Sequence, residues 1–193
     1  MSNSSILKWI NSGEYLVHID QTRTDIMKGA ASSRNESEIA SVFERELYFL
    51  VRSNTGINLT YSSETPVDGL THKFGSLQSR TSGHGRLDAV INNLIIEYKH
   101  HSKLKTKEQI VLAGTQVEDY LYALYRNENT KYKAILTDGL KLSYFSFVGE
   151  KVEHSTLSSI ETKDVDTIIR AILFNSTKQF VPSNILRDFS INT

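Results

Sequence analysis

The chain has 193 residues, with 22 basic against 22 acidic side chains, no cysteine and only two prolines. That length suits one domain with a real core. The missing cysteines exclude disulfides and thiolate-bound zinc and favour an intracellular, cytoplasmic setting. No run of about 18 apolar residues marks a membrane span, and the N-terminus lacks the basic-then-apolar order of a signal peptide.

Residues 1–32 are mixed and read as an N-terminal extension. Ile6, Leu7, Trp9 and Ile10 suggest a short amphipathic helix packed on the domain. Ser32-Ser33-Arg34-Asn35 is a break, and Asn35 with Glu38, or Ser33 with Glu36, makes a capping box. A helix is expected over 36–53. Ile39, Val42, Phe43, Leu47 and Leu50 form its apolar stripe, and Thr55-Gly56 stops it. Residues 57–61 are a candidate strand. Residues 62–84 are rich in Ser, Thr, Gly and His and read as a long loop bordering a functional groove, with Asp68 as a turn residue.

Residues 86–99 read as two strands meeting at Asn92-Asn93. Side chains two apart in a strand share a face, so Glu97 and Lys99 project together and Tyr98 points away. Pairing about the turn sets Asp88 opposite Glu97. Two carboxylates and an ammonium then meet at one edge of a hydrophobic sheet. Hard cations such as Mg²⁺ take carboxylate oxygens and keep several waters. A lysine beside such a site can orient the attacking water and stabilise charge developing on a phosphate.

Lys99, His100, His101, Lys103, Lys105 and Lys107 follow as a basic cluster where a phosphate backbone would run. A helix is expected over 106–126, with Leu112, Val117, Tyr120, Leu121 and Leu124 inward. Gln116 and Tyr120 share one of its faces. A strand over 132–136, a two-residue turn at Asp138-Gly139 and a returning strand over 142–147 come next. A polar segment with short strand character leads to a closing helix over 164–174. Residues 176–193 read as an exit segment or linker. The order of elements indicates an α/β architecture with a central mixed sheet flanked by helices.

Asp88, then Glu97-x-Lys99 after a β-forming run, resembles the PD-(D/E)xK nuclease superfamily, with Leu87 where the name has Pro. Gln116-x-x-x-Tyr120 resembles an accessory motif of one branch. Gly85-Arg86-Leu87-Asp88-Ala89, Ile95-Ile96-Glu97-Tyr98-Lys99, Ala113 with Gln116 and Tyr120, and Ile135-Leu136-Thr137-Asp138-Gly139 occur in that order. Together they resemble the N-terminal nuclease domain of type IIG and type ISP restriction enzymes, over residues 36 to 147.

The resemblance implies a restriction-endonuclease-like αβββαβ core over residues 33–175 and Mg²⁺-dependent hydrolysis of DNA phosphodiesters, with Mn²⁺ able to substitute. Asp88 and Glu97 would be metal ligands, Lys99 would position or help deprotonate water, and Gln116 and Tyr120 would assist. An acid from the first helix would complete the site. Glu38 has the family argument, Glu46 falls on the apolar stripe, and Glu44 is the third choice. Arg86, His100, Lys103, Lys105 and Lys107 would contact DNA.

The implied partners are double-stranded DNA, covalently linked methyltransferase or helicase-like domains, and a transient second copy for double-strand cleavage. The implied setting is restriction or antiviral defence in a prokaryotic cytoplasm. Zero net charge implies weak binding to DNA by this piece alone. The rival readings are a stand-alone repair or recombination nuclease, a nuclease-fold binding module without catalysis, and an unrelated α/β domain.

Overall fold

The computed structural model describes residues 3–70 and 84–174. The exit segment over 176–193 and most of the presumed loop, 71–83, lie outside the described residues. Helices α1 (Asn3–Ile10), α2 (Gly13–Ala31) and α3 (Glu36–Thr55) precede strands β1 (Ser62–Asp68), β2 (His84–Ile91) and β3 (Leu94–Tyr98). A short 3₁₀ turn (His101–Lys103) and helix α4 (Lys107–Glu128) lead to β4 (Lys133–Thr137), β5 (Lys141–Val148), β6 (Lys151–His154) and β7 (Ser158–Ser159). Helix α5 (Thr162–Phe174) follows. From α3 to β4 the succession is αβββαβ.

The described sheet is mixed and seven-stranded, in the order β1-β2-β3-β4-β5-β6, with β7 also on β5. Among the described strands only β3 and β4 pair in parallel. A parallel pair needs a crossover, and α4 provides it. One core cluster lies between the sheet and the helices α1, α2, α3 and α5. The other lies between the sheet and α4. β3 is buried along its whole length, as a strand covered on both faces must be.

The helix boundaries follow local chemistry. The Asn35 side chain accepts from Glu38 N–H at 2.9 Å, and Gly56 adopts a left-handed φ of 70° to end α3. Thr106 and Gln109 form a reciprocal capping box at the start of α4.

Several expectations are corrected. The strand expected at 57–61 lies instead at Ser62–Asp68 and takes up the front of the presumed loop. It is a polar strand at the edge of the described sheet, a place where a proline such as Pro66 is tolerated. Leu112 does not point inward: it is 62% exposed, and Ala113 is buried in its place. The turn after β4 is shifted by one residue. Asp138 N–H donates to Lys141 O, leaving Gly139-Leu140 central, with Gly139 at φ 78°.

The 19-residue α2 was not foreseen. Tyr15, Ile19 and Ile26 of this helix are at most 1% exposed and lie in the same cluster as Ile39, Phe43 and Leu47 of α3. Residues 3–31 thus contribute to the core rather than merely resting on it. The Tyr15 hydroxyl donates to Asp166 of α5 at 2.5 Å, and Arg170 Nε donates to both oxygens of that carboxylate.

Candidate active site

Asn92-Asn93 forms the turn between β2 and β3, with Asn92 at φ 55°. The ladder pairs Ile91 with Leu94 and Ala89 with Ile96, which carries Asp88 to a position opposite Glu97, as expected. The alternation of β2 slips there. Leu87 packs in the cluster under α4, whereas Ala89 and Ile91 pack in the opposite one. Glu64 on β1, also opposite Asp88, has a φ of 54°.

Asp88, Glu97 and Lys99 line one cleft of about 420 Å³ between the sheet and α4. Gln116 and Tyr120 line it from α4, and Gln116 Nε2 donates to the Tyr120 hydroxyl at 2.9 Å. Gly85 lets that wall close: a Cβ there would lie 2.8 Å from the Tyr120 ring and 2.4 Å from Leu70. Leu112 and Ala113 add an apolar strip. Lys99 N–H donates to Thr137 O, extending the parallel ladder past β3 and fixing the lysine backbone.

Tyr98 N–H donates to Asp88 Oδ2 at 2.8 Å. Lys99 Nζ donates to Glu97 Oε1 at 2.5 Å, with Glu97 only 1% exposed. Glu97 Oε2 is buried and has no hydrogen-bond partner among the described residues. An orphaned carboxylate oxygen is costly in a protein interior. It is also what a cation-binding carboxylate looks like without its cation. Asp88 and Glu97 are therefore the residues that could hold Mg²⁺. Two carboxylates are enough for an ion that keeps several waters and takes substrate oxygens. Among the described residues no group of three or more acids or histidines is arranged to hold a metal.

Protonation follows from the crowding of acids. Burial pushes the Glu97 carboxyl up to about 8, against the attraction of Lys99 and with help from Asp88. Burial likewise raises Asp88, opposed by Lys99 and the Tyr98 N–H. Burial alone would lower Lys99, but Glu97, then Asp88 and Glu36, outweigh it, and the amine is held above its usual range. All three groups bind protons more tightly than in water. Lys99 is an ammonium here, suited to orienting water or countering phosphate charge rather than to removing a proton.

The stability consequence has a definite sign. A raised carboxyl in the folded state favours folding below its ordinary value of 4.5, and that contribution is lost as pH rises towards about 8. Glu97→Gln cannot ionise. Urea titrations in EDTA are expected to show the wild type losing stability relative to this variant across the window, by up to about 1.4 kcal/mol per pH unit. A pH-independent difference would contradict the assignment.

The first-helix acids fall differently from expectation. Glu38 is turned back, accepting from Arg34 N–H and Arg34 Nε, and does not line the cleft. Glu46 is paired with Arg45 at 2.6 Å and does not line it either. Its helical phase places it beside the apolar stripe, where it is partly exposed. Glu44 is half-buried near Tyr98 on the opposite face of β3, and burial raises its carboxyl.

The α3 acid that does line the cleft is Glu36, which sequence reasoning gave only a capping role. It accepts from His100 N–H at 3.2 Å and forms an ion pair with Lys103 Nζ at 3.1 Å. Glu64 was missed too, and it pairs with Arg86 at 3.2 Å. The sequence marked Glu36 only as the first residue of a helix, and the meeting of that start with the end of β3 is a tertiary contact. Glu64 was hidden in what read as loop.

Of the expected DNA-contacting residues, Arg86 and Lys103 line the cleft, while His100, Lys105 and Lys107 do not. His100 caps the 3₁₀ turn through Ser102. His101 reaches Ala30 O with Nε2 at 2.9 Å and stands 3.5 Å from Asp138. No described helix is long and apolar enough to cross a membrane. Compared with protein-family models, with curated proteins and with solved structures, the chain matches none.

Proposed function

We propose that the chain is a metal-dependent DNA endonuclease domain of the PD-(D/E)xK kind, with a restriction-endonuclease-like core. The observation that carries this reading is the convergence of Asp88, Glu97 and Lys99 in one cleft, where Glu97 keeps a buried oxygen with no partner among the described residues. The αβββαβ succession and the Gln116–Tyr120 wall support it.

Asp88 and Glu97 would hold Mg²⁺ or Mn²⁺. When bound, the ion supplies Lewis-acid polarisation of a phosphate. The protein's own part is positioning and electrostatics. Tyr98 N–H fixes the Asp88 carboxylate. The Lys99 ammonium stands where it can orient water and stabilise charge developing on the scissile phosphate. Gln116 can donate an amide hydrogen to a non-bridging oxygen once Tyr120 releases it. In this reading the module serves a larger restriction or defence enzyme whose other domains deliver the DNA.

Calorimetric titration of the chain with Mn²⁺ tests the ligand assignment. One site is expected on the wild type, weakened at least about tenfold by Asp88→Ala and retained in Lys99→Ala. Absence of binding to the wild type would remove the catalytic reading and favour a nuclease-fold binding module.

A further inference from the structure

The cleft neutralises itself. Among the described residues its lining holds three cations, and each is paired with a carboxylate of the same lining: Arg86 with Glu64, Lys99 with Glu97, and Lys103 with Glu36. Asp88 is a fourth carboxylate, so the formal charge of this lining is one negative. A polyanion meets a surface whose cations are already engaged.

The two outer pairs differ from the inner one. Arg86 and Glu64 are 66% and 67% exposed at their side chains, and Lys103 and Glu36 are 61% and 33% exposed. Lys99 and Glu97 are 13% and 1% exposed. Exposed pairs are weak and exchange readily, while a buried pair does not. Glu36 is also anchored independently of its cation. Glu36 accepts from His100 N–H, and Glu64 stands at a positive φ directly across from Asp88. Glu36 keeps the His100 N–H donor when Lys103 leaves.

We propose that Glu36 and Glu64 act as internal stand-ins for phosphate. They hold Lys103 and Arg86 at the mouth of the cleft, and DNA engages by replacing them in both pairs. This rests on the nuclease reading and adds regulation to it. The cleft resists non-specific DNA, and engagement is favoured once a divalent cation offsets the carboxylates that the exchange sets free.

Fluorescence anisotropy with a labelled DNA duplex, in EDTA, tests the exchange apart from any metal-ligand role of either acid. Glu36→Gln with Glu64→Gln is expected to tighten binding about tenfold. Adding Arg86→Ala and Lys103→Ala to that variant is expected to abolish the gain. Glu150→Gln with Glu153→Gln makes the same change in net charge at exposed positions on and beside β6 and is expected to give much less. No gain in the first variant, or an equal gain in the β6 control, overturns the exchange. If the wild type still cuts DNA in Mg²⁺ in that case, the nuclease reading stands without it. If no variant binds DNA and the wild type does not cut, both fall together.

Discussion

Asp88→Ala and Lys99→Ala are each expected to lower DNA cleavage at least about a thousandfold while leaving the chain folded. Asp88 is partly buried, and its charge is favoured by Lys99 and by one backbone N–H, so removing it relieves desolvation as well as losing these contacts. Lys99 leaves behind a carboxyl whose pKa is already high enough to go neutral. Neither change opens a large cavity in the apolar core. The two variants lose activity for different reasons. In the proposed mechanism alanine at 88 removes a metal-ligand oxygen, and alanine at 99 removes the ammonium that would face the reacting phosphate. Cleavage rates measured beside circular dichroism melts separate this from unfolding. A variant that keeps the fold and wild-type rates would remove its residue from the mechanism.

A chain lacking residues 1–32 is expected not to fold. The sequence reads these residues as an extension, but Tyr15, Ile19 and Ile26 are fully inside the cluster that covers one face of the sheet. Burying a side chain of this size is worth about 1.5–3 kcal/mol. Losing three, with the matching exposure of Ile39, Phe43 and Leu47, removes much of a total stability of about 5–15 kcal/mol. Asp166→Ala is a gentler version of the same test. It strands the buried Tyr15 hydroxyl and breaks the pair with Arg170, at a cost of about 2–3 kcal/mol. A cooperative melt of the truncated chain near the wild-type temperature would show that the helices are an appendage after all.

What the sequence made legible was mostly local. The Asn92-Asn93 turn, the Asn35 cap and the Gly56 stop are each a short-range signal with its own chemistry, and each sits where expected. The juxtaposition of Asp88 and Glu97 followed from a single hairpin register.

What stayed hidden depended on distant partners. The inward positions of α2 are Tyr15, Ile19, Thr22, Ile26 and Ala30, while Leu16 and Val17 are exposed. Its stripe is therefore broken by a threonine and blurred by apolar residues off the face. β1 is polar because it is an edge, so it gave no alternating pattern, and Glu64 went with it. The choice among first-helix acids failed because Glu36, Glu38, Glu44 and Glu46 are spread over the first three turns of α3. Only the packing of the α3 start against the end of β3 selects Glu36. Leu112 and Ala113 reversed roles because one residue is 100° of helix, and an exposed leucine at a cleft mouth looks like core in a periodic pattern.

The central claim is that Asp88, Glu97 and Lys99 form a divalent-metal site that hydrolyses DNA. Supercoiled plasmid incubated with a high concentration of the purified chain tests it most directly, in Mg²⁺, in Mn²⁺ and in EDTA, with Lys99→Ala run in parallel. Slow accumulation of nicked circles is expected with either metal, none in EDTA and none with the variant. Nicking that persists in EDTA, nicking at the same rate by Lys99→Ala, or an intact plasmid under every condition would contradict it.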